Sequence, residues 1–361
     1  MNDYINRINK LRALLDDNKK ALLITNENNV YYLSGVLNCE GKILITKDKS
    51  YLLVDFRYIV LAKNTCKSCE VVLYTKLYDD INSICKKHSV NSIYLESDNI
   101  TLSQYNIMLR KFNELGISLI SDDTLSKTIS NLRLIKSEDE INLIAKAQKI
   151  TEKAYNEVLN YVKPGVKERD ICIELERLIK KYGASGVSFD LITITGKKTS
   201  LPHGVPTDGI VKDGDFFTFD IGSLYKGYHS DMTRTVAVKS CNDYQREIYN
   251  IVLKAQTTAL EAVKAGVKAS DIDKTARDII DNAGYKDNFG HSTGHGVGLD
   301  IHELPFVSTK SDTILSENMV ITVEPGIYLE NQFGVRIEDM VLVKENGYKN
   351  FASITKELII V

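Results

Sequence analysis

Asp220 stands inside the run Phe216-Phe217-Thr218-Phe219-Asp220-Ile221, an aromatic and β-branched stretch in which an apolar residue would be expected at that place. Tyr225-Lys226-Gly227-Tyr228 supplies a turn, and the return run, residues 229–238, carries Asp231 and Thr233 near its start. A hairpin of this kind sets Asp220 and Asp231 on one face. Two buried carboxylates so close repel unless a proton or a cation lies between them. Further candidates follow downstream. Residues 290–303 are rich in glycine and histidine and contain His291, His295 and His302. Met319-Val320-Ile321-Thr322-Val323-Glu324-Pro325-Gly326 reads as an apolar strand ending in an acid and a turn. Residues 334–343 read as one strand, with Arg336 and Glu338 two apart and hence on the same face.

Each of these has an ordinary reading when taken alone. Asp231 reads equally as an exposed acid at a hairpin end, His295 as a core hydrogen-bond partner, and Glu324 or Glu338 as an acid facing water. Together, Asp220, Asp231, Glu324, Glu338 and His295 make four carboxylates and a histidine, most of them in apolar strands. Burying that set without a cation is costly. It suits two divalent ions with two of the acids bridging, an arrangement that holds and ionises a shared water for attack on a carbonyl. The oxygen-rich donors favour manganese, with cobalt or zinc as alternatives. His203, in Leu201-Pro202-His203-Gly204, and His302 sit beside turns; they suit hydrogen bonds to a substrate carbonyl or proton transfer.

The elements that position these residues fall into two parts. All five prolines lie after residue 160, and five of the six histidines lie between 203 and 302, so rigid turns and metal chemistry concentrate in the C-terminal part. Residues 1–130 read as an α/β domain, with a helix over 1–19, strands at 21–25, 41–46, 50–55, 71–74 and 92–96, and helices at 77–88 and 103–115. His88 reads as a surface histidine at a helix end. Residues 122–137 read as the passage between domains. Ser137-Glu138-Asp139-Glu140 then opens a long helix running to about 162. Within 131–361, the segment from Val162 to Gly183 resembles that from Val263 to Gly284, with nine identities in 22 positions at an offset of 101. The second domain therefore reads as two α+β halves related by approximate twofold symmetry, with a site at their seam.

Composition sets the outer limits. A chain of 361 residues calls for two domains, and a formal net charge of −2 gives no reason to expect a nucleic-acid partner. No apolar run approaches the roughly 18 residues a membrane span needs, and residues 1–8 lack the apolar core of a signal peptide. The protein is thus expected in the cytoplasm, without a membrane partner. Six scattered cysteines are too few for a disulfide framework, and Cys66-Lys67-Ser68-Cys69 reads as incidental thiols.

The motifs, in order, resemble the pita-bread metallopeptidases, which include aminopeptidase P, prolidase and methionine aminopeptidase. The matching segments are Leu201-Pro202-His203-Gly204, Asp220 with Asp231 after 11 residues, Gly294-His295-Gly296-Val297-Gly298, His302, Glu324-Pro325-Gly326 and Gly334-Val335-Arg336-Ile337-Glu338-Asp339. The resemblance implies that Asp220 binds one metal through both oxygens, that His295 and Glu324 bind the other, and that Asp231 and Glu338 bridge. It makes Glu324 a proton shuttle as well, sets His203 and His302 against the substrate, and has Arg336 orient the neighbouring acids beside it. Asn29-Val30-Tyr31-Tyr32-Leu33-Ser34-Gly35 and Leu53-Val54-Asp55-Phe56-Arg57-Tyr58 resemble the creatinase-type N-terminal domain of aminopeptidase P and prolidase. The expected fold is therefore α+β in two domains: a creatinase-like α/β domain over 1–130, and a pita-bread domain with a pseudo-twofold repeat over 131–361.

The same resemblance implies a homodimer acting on peptides with proline second. Many prolidases carry an arginine shortly after the residue matching His302, to hold the dipeptide carboxylate, and Phe306 stands there. That favours a Xaa-Pro aminopeptidase, with a Xaa-Pro dipeptidase as the alternative. Metal-free members of the fold, such as creatinase or binding modules, lack the five ligands present here.

Overall fold

A computed structural model describes residues 2–361, which cluster into two compact units meeting between Arg133 and Leu134. In the first unit a six-stranded sheet runs in the order Glu70–Leu73, Ser50–Val54, Lys42–Ile45, Lys20–Ile24, Ser92–Leu95, Ser118–Ile120. The outer pairs are parallel and the inner Lys20–Ile24, Lys42–Ile45 and Ser50–Val54 are antiparallel. The helix Leu77–His88 lies where its period requires, with Asp79 and Asp80 in its first turn and Lys86, Lys87 and His88 in its last, each sign facing the favourable pole of the helix dipole.

Three expectations for this unit need correction. The first helix covers Asn2–Arg12, shorter than 1–19. Residues 122–137 are largely a helix, Thr124–Leu134, whose Leu125 and Ile129 are buried. His88 is largely covered rather than a surface residue: its Nε2 lies 2.7 Å from the Tyr51 hydroxyl, and its side chain is 11% exposed. The Tyr51 ring is buried, and its hydroxyl pairs with His88.

In the second unit the internal repeat is literal. The helices Glu168–Lys181 and Ala269–Asn282 begin and end 101 residues apart. Each follows a longer helix opened by a reciprocal cap, Ser137 with Glu140 before Glu138–Val158 and Asn242 with Gln245 before Asp243–Glu261. Each half has its own apolar core. Ile171, Leu175 and Leu178 pack with Phe217 and Phe219 in one, and Ile272, Ala276 and Ile280 with Ile321 and Val341 in the other. A fully buried Leu or Ile contributes about 2 kcal/mol.

The strands that carry the candidate residues lie in both halves. Met232–Ala237, Phe216–Ile221 and Ile192–Thr195 form an antiparallel sheet. Glu303–Val307, Gly294–Gly296, Val320–Val323, Asp339–Lys344 and Gly347–Asn350 form another. Residues 334–343 are not one strand. Phe333–Arg336 pairs with Gly326–Leu329, while Asp339–Lys344 pairs with Val320–Val323, so the chain changes sheets at Ile337-Glu338. Among the described residues no helix is long and apolar enough to cross a membrane.

Candidate metal centre

The hairpin places Asp220 opposite Thr233, with Asp231 two residues earlier on the same face. What allows this is a close crossing at Gly222, where an added Cβ would stand 2.0 Å from the Ser230 carbonyl oxygen. Ser230 is fixed in turn: its hydroxyl lies 2.8 Å from that of Thr151, and the Ser188 hydroxyl donates to its carbonyl at 2.8 Å. Asp231 is only 4% exposed, which removes the hairpin-end reading. We expect Gly222→Ala to cost about 3 kcal/mol and to weaken divalent-ion binding, as measured by calorimetry. Wild-type stability and affinity in that variant would contradict the crossing.

His295 sits on Gly294–Gly296, whose flanking glycines leave room for the Thr322 and Leu304 carbonyls: added Cβ atoms would meet those oxygens at 2.0 and 2.1 Å. Its backbone N–H donates to Thr322 Oγ1 at 3.1 Å, and its Nδ1 lies 3.1 Å from the Gly296 carbonyl. A carbonyl only accepts, so Nδ1 carries the proton and Nε2 is left with a bare lone pair. Burial lowers the ring's pKa to about 4, so it is neutral at physiological pH. That lone pair faces Glu324 Oε1 at 3.4 Å and Asp231 Oδ2 at 3.6 Å. With those acids ionised, acceptor confronts acceptor, which is the arrangement of ligands around a cation.

The acids agree. Burial pushes the Glu324 carboxyl up to about 8, against the pull of Arg336. Burial, then Asp220 and Glu324, push Asp231 well above its ordinary range. Glu338 is raised likewise by burial and by Asp231, Glu324 and Asp220, although Thr233 Oγ1 donates to it at 2.8 Å. Ligand atoms of Asp231, His295 and Glu338 all lie within 4.8 Å of one another, a triad that fits a divalent ion.

Arg336 supplies a buried cation beside these acids. Its Nη2 donates to Asp220 Oδ2 at 2.6 Å, its Nε to Thr233 Oγ1 at 3.2 Å, and its Nη1 to the Pro202 carbonyl at 3.2 Å and the Tyr328 hydroxyl at 2.8 Å. Burial works against its charge, yet Tyr328, Asp220 and Glu324 hold it well above its ordinary value. Tyr328 lies 2.8 Å from His291 Nε2, while His291 Nδ1 lies 2.8 Å from the Ser292 carbonyl. The proton directions are thereby fixed: His291 Nδ1 donates to the carbonyl, its Nε2 accepts from Tyr328, and Tyr328 accepts from Arg336. Sequence reasoning gave neither His291 nor Tyr328 a role. The available signal was that Arg336, once buried, needs several acceptors beyond Asp220.

Behind the centre the buried Arg234 donates to Asp339 Oδ1 at 2.7 Å and to the Glu338 carbonyl at 2.6 Å. Burial alone would raise the Asp339 carboxyl, but Arg234 and Lys356 hold it below the usual range. A cavity of about 760 Å³ opens over the acids. Asp220, Asp231, His295, Glu324, Arg336 and Glu338 line it, together with the exposed His203 and His302. The His302 ring stands edge-on to His295, with centroids 4.4 Å apart.

Comparison with known proteins gives this arrangement its setting. Residues 142–345 match metallopeptidase family M24, and residues 7–135 match the creatinase/prolidase N-terminal domain. A Xaa-Pro dipeptidase of Pyrococcus furiosus is 40% identical over 355 residues, covering 98% of this chain and 99% of that protein. A solved Xaa-Pro dipeptidase from Bacillus anthracis superimposes with a TM-score of 0.94 at 38% identity, over 99% of this chain and 100% of the other. An X-Pro aminopeptidase from Thermotoga maritima gives 0.89 at 35% identity, over 98% and 100%. With its pita-bread fold, its creatinase-like N-terminal domain and its cluster of buried acids around a lone-pair histidine, this chain belongs to metallopeptidase family M24.

Proposed function

We propose that the protein is a metal-dependent Xaa-Pro dipeptidase that hydrolyses the bond before proline in two-residue peptides. Residues 131–361 carry the chemistry, and residues 1–130 form the creatinase-type domain. The observation that carries the choice of dipeptides is the full-length likeness to a protein named Xaa-Pro dipeptidase, at 40% identity. The cavity adds a cation suited to a free carboxylate, since Arg169 lines it and its partner Asp208, at 3.6 Å, is itself exposed. The second reading, a Xaa-Pro aminopeptidase, is favoured by Phe306, half-exposed on the cavity wall at the place where many prolidases carry a carboxylate-binding arginine.

In this reading Asp220, Asp231, His295, Glu324 and Glu338 hold two divalent ions, with manganese preferred over cobalt or zinc. When bound, the ions supply Lewis acidity and ionise a water for attack on the scissile carbonyl. Glu324 carries a proton to the leaving proline nitrogen. His203 and His302 donate hydrogen bonds to substrate oxygen atoms, and Arg336 keeps Asp220 aimed. A homodimer in the cytoplasm belongs to the same reading, through its likeness to that branch of the family. The test is turnover of Xaa-Pro dipeptides against Xaa-Pro-Yaa tripeptides by metal-stripped protein with and without manganese. Manganese-dependent cleavage is expected to favour the dipeptides. Release of Xaa from tripeptides with little dipeptide turnover would move the assignment to the aminopeptidase.

A further inference from the structure

His203 rides on an irregular segment, residues 201–211, whose own backbone contacts are few: Leu201 N–H donates to the Lys198 carbonyl and Gly204 N–H to the Leu201 carbonyl. Leu201, His203 and Val205 are exposed. Such a strap wanders unless something outside it holds both ends. Arg336 Nη1 holds the Pro202 carbonyl and the backbone of Val211 pairs with Val166 and Gly165, while one carboxylate ties the two ends to each other. Glu168, at the start of the Glu168–Lys181 helix, is 1% exposed. Its Oε1 accepts from Thr195 N–H at 2.8 Å, and its Oε2 accepts from Lys198 Nζ at 2.5 Å, Thr207 N–H at 2.9 Å and Thr207 Oγ1 at 3.0 Å. Lys198 Nζ also reaches the Val205 carbonyl at 3.2 Å.

Lys198 and Thr207 bracket His203, five residues before it and four after. Both converge on the same Glu168 oxygen. The backbone completes the clamp, since Glu168 N–H donates to the Gly209 carbonyl and Arg169 N–H to the Thr207 carbonyl. An added Cβ at Gly209 would press on the Glu168 carboxylate at 3.1 Å, so the site admits only this close approach. Buried ions with this many charge-assisted donors are rigid, and their geometry is transmitted to what they hold.

We propose that Glu168 is a positioning residue, fixing the His203 imidazole over the metal centre by pinning both ends of its strap. The proposal rests on the reading of His203 as a substrate-facing group. Misplacing a reacting group by about 1 Å costs on the order of 100-fold in rate.

The test is a double-mutant cycle on peptide turnover. Glu168→Gln keeps the shape but loses the charge that gathers Lys198 and Thr207. It is expected to lower kcat roughly 10- to 100-fold with a smaller change in KM and unchanged bound metal. In the His203→Ala background the same substitution is expected to add little further loss. A residue that merely supports the fold would multiply the two losses, and that outcome, or wild-type kcat in Glu168→Gln, overturns the proposal. If Glu168→Gln fails to fold, Thr207→Val, which removes one end of the pin from the surface, replaces it in the same cycle. Full activity in His203→Ala overturns the proposal together with the reading of His203. Turnover by the wild-type protein tests the peptidase reading separately. If it is absent, amide hydrogen exchange over 201–207 still decides, since faster exchange in Glu168→Gln supports the pin and unchanged exchange overturns it.

Discussion

Asp231→Asn is expected to leave a folded protein that binds at most one divalent ion and hydrolyses peptides at least about a thousandfold more slowly, equivalent to about 4 kcal/mol of transition-state stabilisation. The reason is positional. Asp231 reaches toward His295 Nε2 at 3.6 Å and shares the ligand cluster with Glu338, so an amide there presents an N–H₂ or a neutral oxygen where a charged donor is required. The loss should not come from unfolding. Asp231 raises the Glu338 carboxyl and is itself raised by Asp220 and Glu324, so in metal-free protein the amide relieves a repulsion. Without metal, the variant should therefore melt no lower than wild type at about pH 8. Metal analysis alongside dipeptide hydrolysis and thermal melts checks all three. Full metal content with wild-type turnover would remove Asp231 from the centre.

The second large effect is on stability as a function of pH. In metal-free protein, burial holds the Glu324 carboxyl at about 8 and raises Asp231 and Glu338 well above their usual range. A carboxyl raised in the folded state stabilises the fold below its unfolded value. That stability is lost as pH rises through the folded value. His291 and His295 act oppositely, because burial lowers both to about 4, so their contribution grows as pH rises from there to their unfolded value near 6.5. Between roughly pH 6.5 and 8 those two histidines are silent; the Cys66 thiol, lowered to about 6, adds stability as pH rises, and the three raised carboxyls outweigh it. The unfolding midpoint of chelated protein is expected to fall across that interval. Manganese at about a thousand times its dissociation constant should restore about 4 kcal/mol, with an affinity that strengthens as pH rises because protons compete for the same oxygens. A metal-free midpoint that is flat or rising over the interval would contradict the buried-acid account.

What the sequence disclosed follows from which forces are local. Acids set in or against apolar strands are conspicuous, because burying a charge has few explanations; Asp220, within Phe216–Ile221, and Asp231, Glu324 and Glu338, each next to a strand end, were legible as candidates for that reason. The repeat was legible because an offset of 101 preserves helix starts. The helix Glu27–Ser34 was not read, although Asn26 caps it and Gly35, at φ +75°, ends it. It spans two turns, too short for a periodicity to show. His291, Tyr328 and Glu168 were invisible for another reason. Their partners lie 37, 8 and up to 39 residues away, and which hydroxyl or carbonyl meets them is decided only when each half folds its strands and loops together. The break at Ile337-Glu338 was missed on the same ground, since continuous apolar alternation does not reveal a change of sheet.

The seam between the two halves has a consequence for how the molecule comes apart. Asp220 and Asp231 come from one repeat, while His295, Glu324 and Glu338 come from the other. Thr233–Glu338 and Arg234–Asp339 cross the same line at 2.8 and 2.7 Å. Neither half owns a complete ligand set, although each has its own cap, helices and apolar core. A divalent ion seated there is a rivet through two plates, and the plates cannot part until it is drawn. Loaded protein should therefore lose both halves in one event, whereas stripped protein is free to loosen at the seam first, with each core still intact.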